Sequence, residues 1–164
     1  MSYLYKHDIE HEDLNPRNVL IDEKFQPKIT EIGHYTLPQN LQNALSRSSI
    51  HINKTHIYFS PEIFRGESRT EKSEVYSFGK IIYEIITNKI DMKNTNKIFS
   101  NHLSTFDDES IPIIYKQLIE KCCSKDPQER PSFLDIVFQL SNDNKFITED
   151  INIDIYNNYL KSIQ

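Results

Sequence analysis

The chain has 164 residues, 37% apolar and 26% charged, with a formal net charge of −5 at pH 7. That length suits one domain, which buries roughly 68–70% of its unfolded surface. An acidic balance without any run of five basic residues argues against a nucleic-acid partner. The opening "MSYLYKHDIE" lacks a basic stretch followed by a long apolar one, so no secretory signal is expected. The longest apolar-rich segment, "VYSFGKIIYEII" (75–86), is short and broken by Lys80 and Glu84, so no membrane contact is expected either. Cys122 and Cys123 are adjacent. Neighbouring cysteines rarely bridge and two thiolates alone make no zinc site, which predicts buried reduced thiols in a cytoplasmic protein.

In chain order, residues 2–8 have the pattern of a helix end, followed by a loop over 9–18. "NVLID" and "QPKITEI" are short strand candidates joined by the polar turn "EKF". Residues 33–60, rich in Asn, Gln, Ser and His, form a long irregular stretch of the kind that is usually functional. Ser60 and Pro61 open a helix, because proline suits the first turn. From Val75, the apolar residues Phe78, Ile82, Ile85 and Ile86 follow helical spacing while Ile81 and Tyr83 fill other faces. A helix apolar nearly all round is expected to be buried and central. Amphipathic helices follow at 112–123 and 132–140, the second opening on Ser132 and Asp135 in capping-box spacing. A polar tail, 141–164, carries a weak helix signal at 153–163. The expectation is a mainly α chain with one small β-hairpin and no internal repeat.

Within the first loop, "HEDLNPRNVLID" (11–22) sets His11, Asp13 and Asn18 in H-x-D-L-x-x-x-N spacing. Protein kinases and aminoglycoside-type phosphotransferases share this pattern for one physical reason. The aspartate orients and deprotonates an attacking hydroxyl, and the asparagine five residues on reaches a metal ion bridging the phosphates. Four further elements follow in order: "ITEIGHY", "KTHIYFSPE" (54–62), "KSEVYSFGKIIYEIIT" (72–87) and "CCSKDPQERPSF" (122–133).

With these five elements the sequence resembles the C-terminal lobe of a eukaryotic protein kinase over about residues 3–140. The S-F-G and D-P-x-x-R-P-S-F wording is closest to the tyrosine-kinase-like group. Aminoglycoside-type enzymes lack the P-E close and the Arg130 element. The resemblance implies a protein-kinase-like domain over 1–140, with a catalytic loop at 9–18, an activation segment at 31–62 and a central helix at 73–87. It also implies ATP and Mg²⁺ as cofactors and a protein substrate or scaffold partner. By the same resemblance Asp13 is the catalytic base, Asn18 and Glu31 are nucleotide and metal ligands, and Asn15 occupies a catalytic-loop position. His11 is a buried structural residue, Thr55 a loop-positioning hydroxyl, and Glu62 with Arg130 a buried ion pair. Glu74 stands at the central helix's usual aspartate, and Cys123 where a tryptophan is common.

Four departures shape the functional expectation. Glu12 stands where an arginine pairs with a phosphorylated activation loop in many members, so a phosphate there would be repelled. Asn15 replaces a lysine that neutralises the transferring phosphate, and loss of one such donor costs on the order of 10²–10³ in rate. Glu31 replaces the metal-binding aspartate and sets its carboxylate about 1.5 Å further out, a displacement able to cost roughly 10² in rate. Finally, Gly33, Gly66 and Gly79 are the only glycines and none lies in G-x-G-x-x-G spacing. The N-terminal lobe is therefore expected to be absent. The expected function is a truncated or degenerate serine/threonine kinase, a pseudokinase with little or no activity alone; the alternatives are a fragment of an active kinase and a partner-binding scaffold.

Overall fold

The computed structural model of the chain describes residues 1–24, 26–33, 56–89, 109–147 and 152–162. The expectations for most of the 33–60 stretch, including Thr55, lie outside the described residues; of the activation segment only 31–33 and 56–62 are described.

Helix α1 spans Ser2–Lys6. The loop that follows ends in a 3-10 turn, Pro16–Asn18, and runs straight into strand β1, Val19–Ile21. Strand β2, Pro27–Ile29, pairs with it antiparallel, setting Val19 opposite Ile29 and Ile21 opposite Pro27. Asp22 builds the connection: its Oδ1 accepts the backbone N–H groups of Lys24 and Gln26, each at 2.9 Å. A carboxylate bonding two residues ahead is the Asx-turn device, which makes the hairpin a local affair.

Helix α2, Pro61–Phe64, is one turn long. Helix α3, Glu71–Thr87, is the longest element described. It begins two residues before the expected start at 73, because the Ser73 hydroxyl accepts the Thr70 N–H at 3.0 Å and caps the first turn. Helices α4 (Ile113–Cys122), α5 (Phe133–Asn142) and α6 (Ile153–Ser162) complete the described helices. The capping box at α5 forms, with Ser132 Oγ accepting the Asp135 N–H at 3.1 Å and Asp135 accepting the Ser132 N–H at 3.0 Å. Among the described residues no helix is long and apolar enough to cross a membrane.

The core lies between α3, α4 and α5. Val75, Leu118, Cys122, Phe133 and Ile136 are buried together. The Tyr5 ring stacks on Phe133, and Phe78 meets Phe133 edge-on, each with centroids 5.7 Å apart. Phe146, from the polar tail, also enters this core: its ring meets Tyr115 at 5.1 Å, and its carbonyl accepts the Tyr115 hydroxyl at 2.7 Å. Burial of α3 departs from the expectation of a helix covered all round. Its first half, Ser73 to Ile81, holds all its buried residues, whereas Ile85 is 74% exposed. Lys80, which breaks the apolar run in the sequence, is itself buried. Cys122 and Cys123 are both free and buried, and burial pushes the Cys122 thiol pKa well up.

Close approach of α3 and α4 depends on Gly79. A Cβ there would meet Cys122 Cβ at 2.7 Å and Cys123 Sγ at 2.8 Å. Alanine would gain about 0.5–1 kcal/mol in helix propensity, but overpacking a tight helix contact costs about 1–3 kcal/mol. The overpacking term wins. Gly79→Ala should therefore lose stability by about 1–2 kcal/mol in urea unfolding, and an unchanged midpoint would show that α4 can shift freely.

Candidate active site

The loop 9–18 is held by neutral hydrogen bonds that converge on Asp13. Its backbone carbonyl accepts Nδ2 of Asn15 at 2.9 Å and Nδ2 of Asn18 at 2.8 Å. Asn18 Nδ2 also donates to Asp13 Oδ2 at 3.2 Å. The second carboxylate oxygen, Oδ1, is buried and has no hydrogen-bond partner. An acceptor withdrawn from water and left unpaired is costly. It is also what a base awaiting a hydroxyl proton requires.

Asn15 and Asn18 part company here. Asn15 is 1% exposed, and its Oδ1 accepts the Arg17 N–H at 3.0 Å, capping the 3-10 turn. Both ends of its amide are thus used inside the loop, which makes it a brace. Asn18 uses only its Nδ2; its Oδ1, the end a metal ion can bind, takes no hydrogen bond from the described residues.

Behind the loop, His11 is fully buried, and its Nδ1 accepts the Asp13 N–H at 3.3 Å. Desolvation holds its imidazole below the ordinary histidine range, so it is neutral. Two substituted positions share an unusual backbone: Glu12 has φ +72° and Glu31 φ +60°. Left-handed conformations disfavour side chains with a Cβ. At Glu12 the conformation is pinned, because its N–H donates to Oε1 of buried Glu74 on α3. Glu31 is exposed, next to Gly33, whose N–H donates to the His11 carbonyl at 3.1 Å. That bond and Thr30 N–H to the Asn18 carbonyl, at 2.9 Å, bring residues 30–33 alongside the loop.

Asn18 Oδ1 and the Glu31 carboxylate offer hard oxygen donors of the sort Mg²⁺ accepts while keeping other positions for water or phosphate. Among the described residues, no three His, Cys, Asp or Glu side chains cluster as a self-sufficient metal site.

The ion pair expected between Glu62 and Arg130 forms, and it is bidentate: Nη1 donates to Oε1 and Nη2 to Oε2, the latter at 3.0 Å. Arg130 also donates through Nε to the Ser124 carbonyl at 2.8 Å and through Nη1 to the Lys72 carbonyl at 2.9 Å. Three features were not legible in the sequence. Lys72 returns a hydrogen bond to the Arg130 carbonyl. The Tyr58 hydroxyl donates to Glu84, tying the segment before α2 to α3. Tyr5 of α1 lies beside Glu74. Tyr58 and Glu84 are 26 residues apart, and no periodicity links them.

Comparison with known proteins gives one consistent answer. Residues 1–140 match the protein kinase domain family. A probable serine/threonine-protein kinase of Dictyostelium discoideum is 32% identical over 142 residues, covering 85% of this chain and 13% of that protein. The dual specificity protein kinase pyk3 of the same organism is 33% identical, over 91% of this chain and 11% of its own length. Mitogen-activated protein kinase kinase kinase 12 of Rattus norvegicus is 31% identical, over 85% and 16% respectively. The chain therefore spans only 11–16% of these relatives.

The ion pair sets a stability test. Burial pushes the Glu62 carboxyl pKa up, but hydrogen bonds and charge from Arg130 more than offset this, and the net shift is downward from 4.5. A lowered folded value gives stability that is present above pH 4.5 and lost as pH falls through the folded pKa. Glu62→Ala should cost roughly 3–5 kcal/mol at neutral pH, because it leaves a buried guanidinium unpaired. Glu62→Ala with Arg130→Ala should cost clearly less than the two single losses summed, read by urea unfolding. Strict additivity would mean the pair carries no coupling.

Proposed function

The chain belongs to the protein kinase domain family, and from that premise we propose that it is the substrate-side lobe of a serine/threonine protein kinase of tyrosine-kinase-like type. In this reading the loop keeps its shape while its electrostatic catalysis is largely gone. The observation that carries it is Asn15. The residue at the phosphate-neutralising position is uncharged, buried and used at both ends by the loop itself, so no cation replaces the missing one there.

The roles of the remaining residues follow. Asp13 Oδ1 accepts the proton of a protein hydroxyl, while Asn18 holds Oδ2 and fixes the carboxylate plane. Asn18 Oδ1 and Glu31 are the groups to hold Mg²⁺, and the nucleotide with its metal supplies the transferable phosphate. Glu74 and His11 position the loop without touching reactants. Members of the family hold nucleotide with a Gly-rich loop and a strand lysine; no G-x-G-x-x-G occurs in these 164 residues. The chain by itself is then a weak or silent phosphotransferase.

A second reading has two observations in its favour. Asp13 Oδ1 is unpaired and Asn18 Oδ1 is free of hydrogen bonds from the described residues, as an active site needs them to be. Under that reading the chain is part of an active kinase, and the serine/threonine and dual-specificity names of its relatives indicate protein hydroxyls as acceptors.

The two readings separate in one pair of measurements. Incubated with radiolabelled ATP, Mg²⁺ and casein, the chain should transfer no phosphate above background. Its melting temperature should not move with Mg-ATP, although a ligand at 100 times its Kd would add about 2.7 kcal/mol. Transfer that disappears in Asp13→Asn would overturn the silent reading in favour of the active one.

A further inference from the structure

Glu74 sits at the base of the loop, 1% exposed, with Oε1 accepting the Glu12 N–H. Its other oxygen, Oε2, and the hydroxyl of Tyr5 on α1 are both buried, and neither meets strict hydrogen-bond geometry with a described residue. The two groups nevertheless lie together: after burial, the Glu74 charge is the largest influence on the Tyr5 phenol. Leaving a donor and an acceptor unpaired side by side, away from water, is costly.

We propose that Tyr5 is a positioning residue for the loop: its hydroxyl donates to Oε2 of ionised Glu74 and thereby holds Oε1 on the Glu12 N–H, one residue before Asp13. A phenol donates, and an ionised carboxylate accepts at both oxygens. A bond to a charged acceptor is roughly twice as strong as a neutral one. Burial and the neighbouring charge keep the phenol protonated.

Directional pairing is what the site requires. The last torsion of a glutamate side chain is broad, so one bond at Oε1 leaves the carboxylate plane free to turn. Charges nearby act without direction. Arg69, from the segment before α3, faces the carboxyl with opposite charge and Glu10, from the loop, with like charge. The α-amino group of Met1 lies within reach of Glu74, and Glu71 on α3 acts on Tyr5. A second bond, at Oε2, fixes the plane. Desolvation moves the Glu74 carboxyl upward from its ordinary 4.5, and the Tyr5 bond and Arg69 work against that rise.

Three helices hold the donor. The Tyr5 ring stacks on Phe133 at 5.7 Å and 22°. The Phe133 N–H in turn donates to Glu71 Oε1 at 2.7 Å. Glu71 and Glu74 are three residues apart on α3, hence neighbours on one face. Helices α1 and α5 and the first turn of α3 thus close a ring of contacts beside the carboxyl. Through Tyr5, the packing of α5 reaches the loop.

The test uses the full 164-residue chain with ¹³C-labelled glutamate and tyrosine side chains. NMR compares the parent with Tyr5→Phe, which keeps the ring on Phe133 and removes the hydroxyl. The Glu74 signal is the one missing in Glu74→Gln. In Tyr5→Phe the Glu74 carboxyl should titrate at higher pH than in the parent, because its ionised form loses a donor. The Glu12 amide should exchange about tenfold faster, the scale of one hydrogen bond to a charged group, while the Leu118 and Ile119 amides of α4 keep their rates. A general loss of stability would speed all three alike and overturn the positioning role. A Glu74 titration or a Glu12 rate unchanged by the variant would do the same. Where Tyr5→Phe fails to fold, the parent chain decides. The Tyr5 ring carbon bearing the hydroxyl should shift in step with Glu74 ionisation, and no such step between pH 4 and 9 overturns the proposal. None of these readouts requires phosphate transfer, so they hold for a silent chain and an active one alike.

Discussion

The rest of the structure depends on the burial of Arg130. Its side chain is fully enclosed, and four hydrogen bonds run from it to Glu62, Ser124 and Lys72. A guanidinium loses several kcal/mol on leaving water, and only near-complete pairing repays it. The pairing therefore dictates position. Glu62 fixes α2, the Lys72 carbonyl fixes the first turn of α3, and the Ser124 carbonyl fixes the turn after α4. The Tyr76 ring lies 5.1 Å from the guanidinium carbon, adding an aromatic face to the same group. Glu71 accepts the Phe133 N–H at 2.7 Å, so the start of α5 is tied to the same turn of α3. Elements separated by 68 residues in sequence are thus bound at a single side chain.

From that anchor, order passes to the loop by way of α3. Glu74 is one turn beyond the anchored start and reaches the Glu12 N–H. Ser77, a turn further on, donates to the Tyr58 carbonyl at 2.8 Å. Glu84 then accepts the Tyr58 hydroxyl. One face of the helix therefore holds the loop at one level and Tyr58 at two others. An α-helix repeats every 3.6 residues, and the spacing 74, 77, 84 keeps all three side chains near one side. That is how the helix sets the loop in register.

Legibility in the sequence followed the range of each interaction. Local devices were readable: the polar turn between the two strands, the Ser132–Asp135 box, the Pro61 helix start and the H-x-D-L-x-x-x-N loop each occupy a short span, although the part Asp22 plays in that turn was not. The Glu62–Arg130 pair was readable only through the resemblance, since nothing in composition links positions 68 apart. Where reading stopped, tertiary packing decides. Asn15 looks like a polar loop residue open to solvent, yet its amide satisfies two backbone groups that would otherwise be orphaned. Phe146 sits in a polar tail whose composition hides one core aromatic. Ile85 continues the apolar pattern of α3 and is nevertheless exposed, because periodicity shows which faces could be covered and not which are.

Shape and phosphoryl-transfer chemistry would rest on different physics in this loop. Its conformation is held by amide, carbonyl and imidazole contacts, from Asn15, Asn18, His11 and the backbone of Gly33, with one carboxyl from Glu74. None of those contacts needs a cation. Phosphoryl transfer does need cations, because its transition state spreads negative charge over oxygen atoms that must be neutralised from nearby. Glu12 and Asn15 alter that field, and neither disturbs the backbone geometry: Glu12 joins it through its N–H and Asn15 through its amide. The side chain at position 12 can therefore change without moving the loop, whereas loss of Glu74, Asn15 or Asn18 would reach the geometry itself. The form of the loop is thus set without reference to the charge carried at position 12.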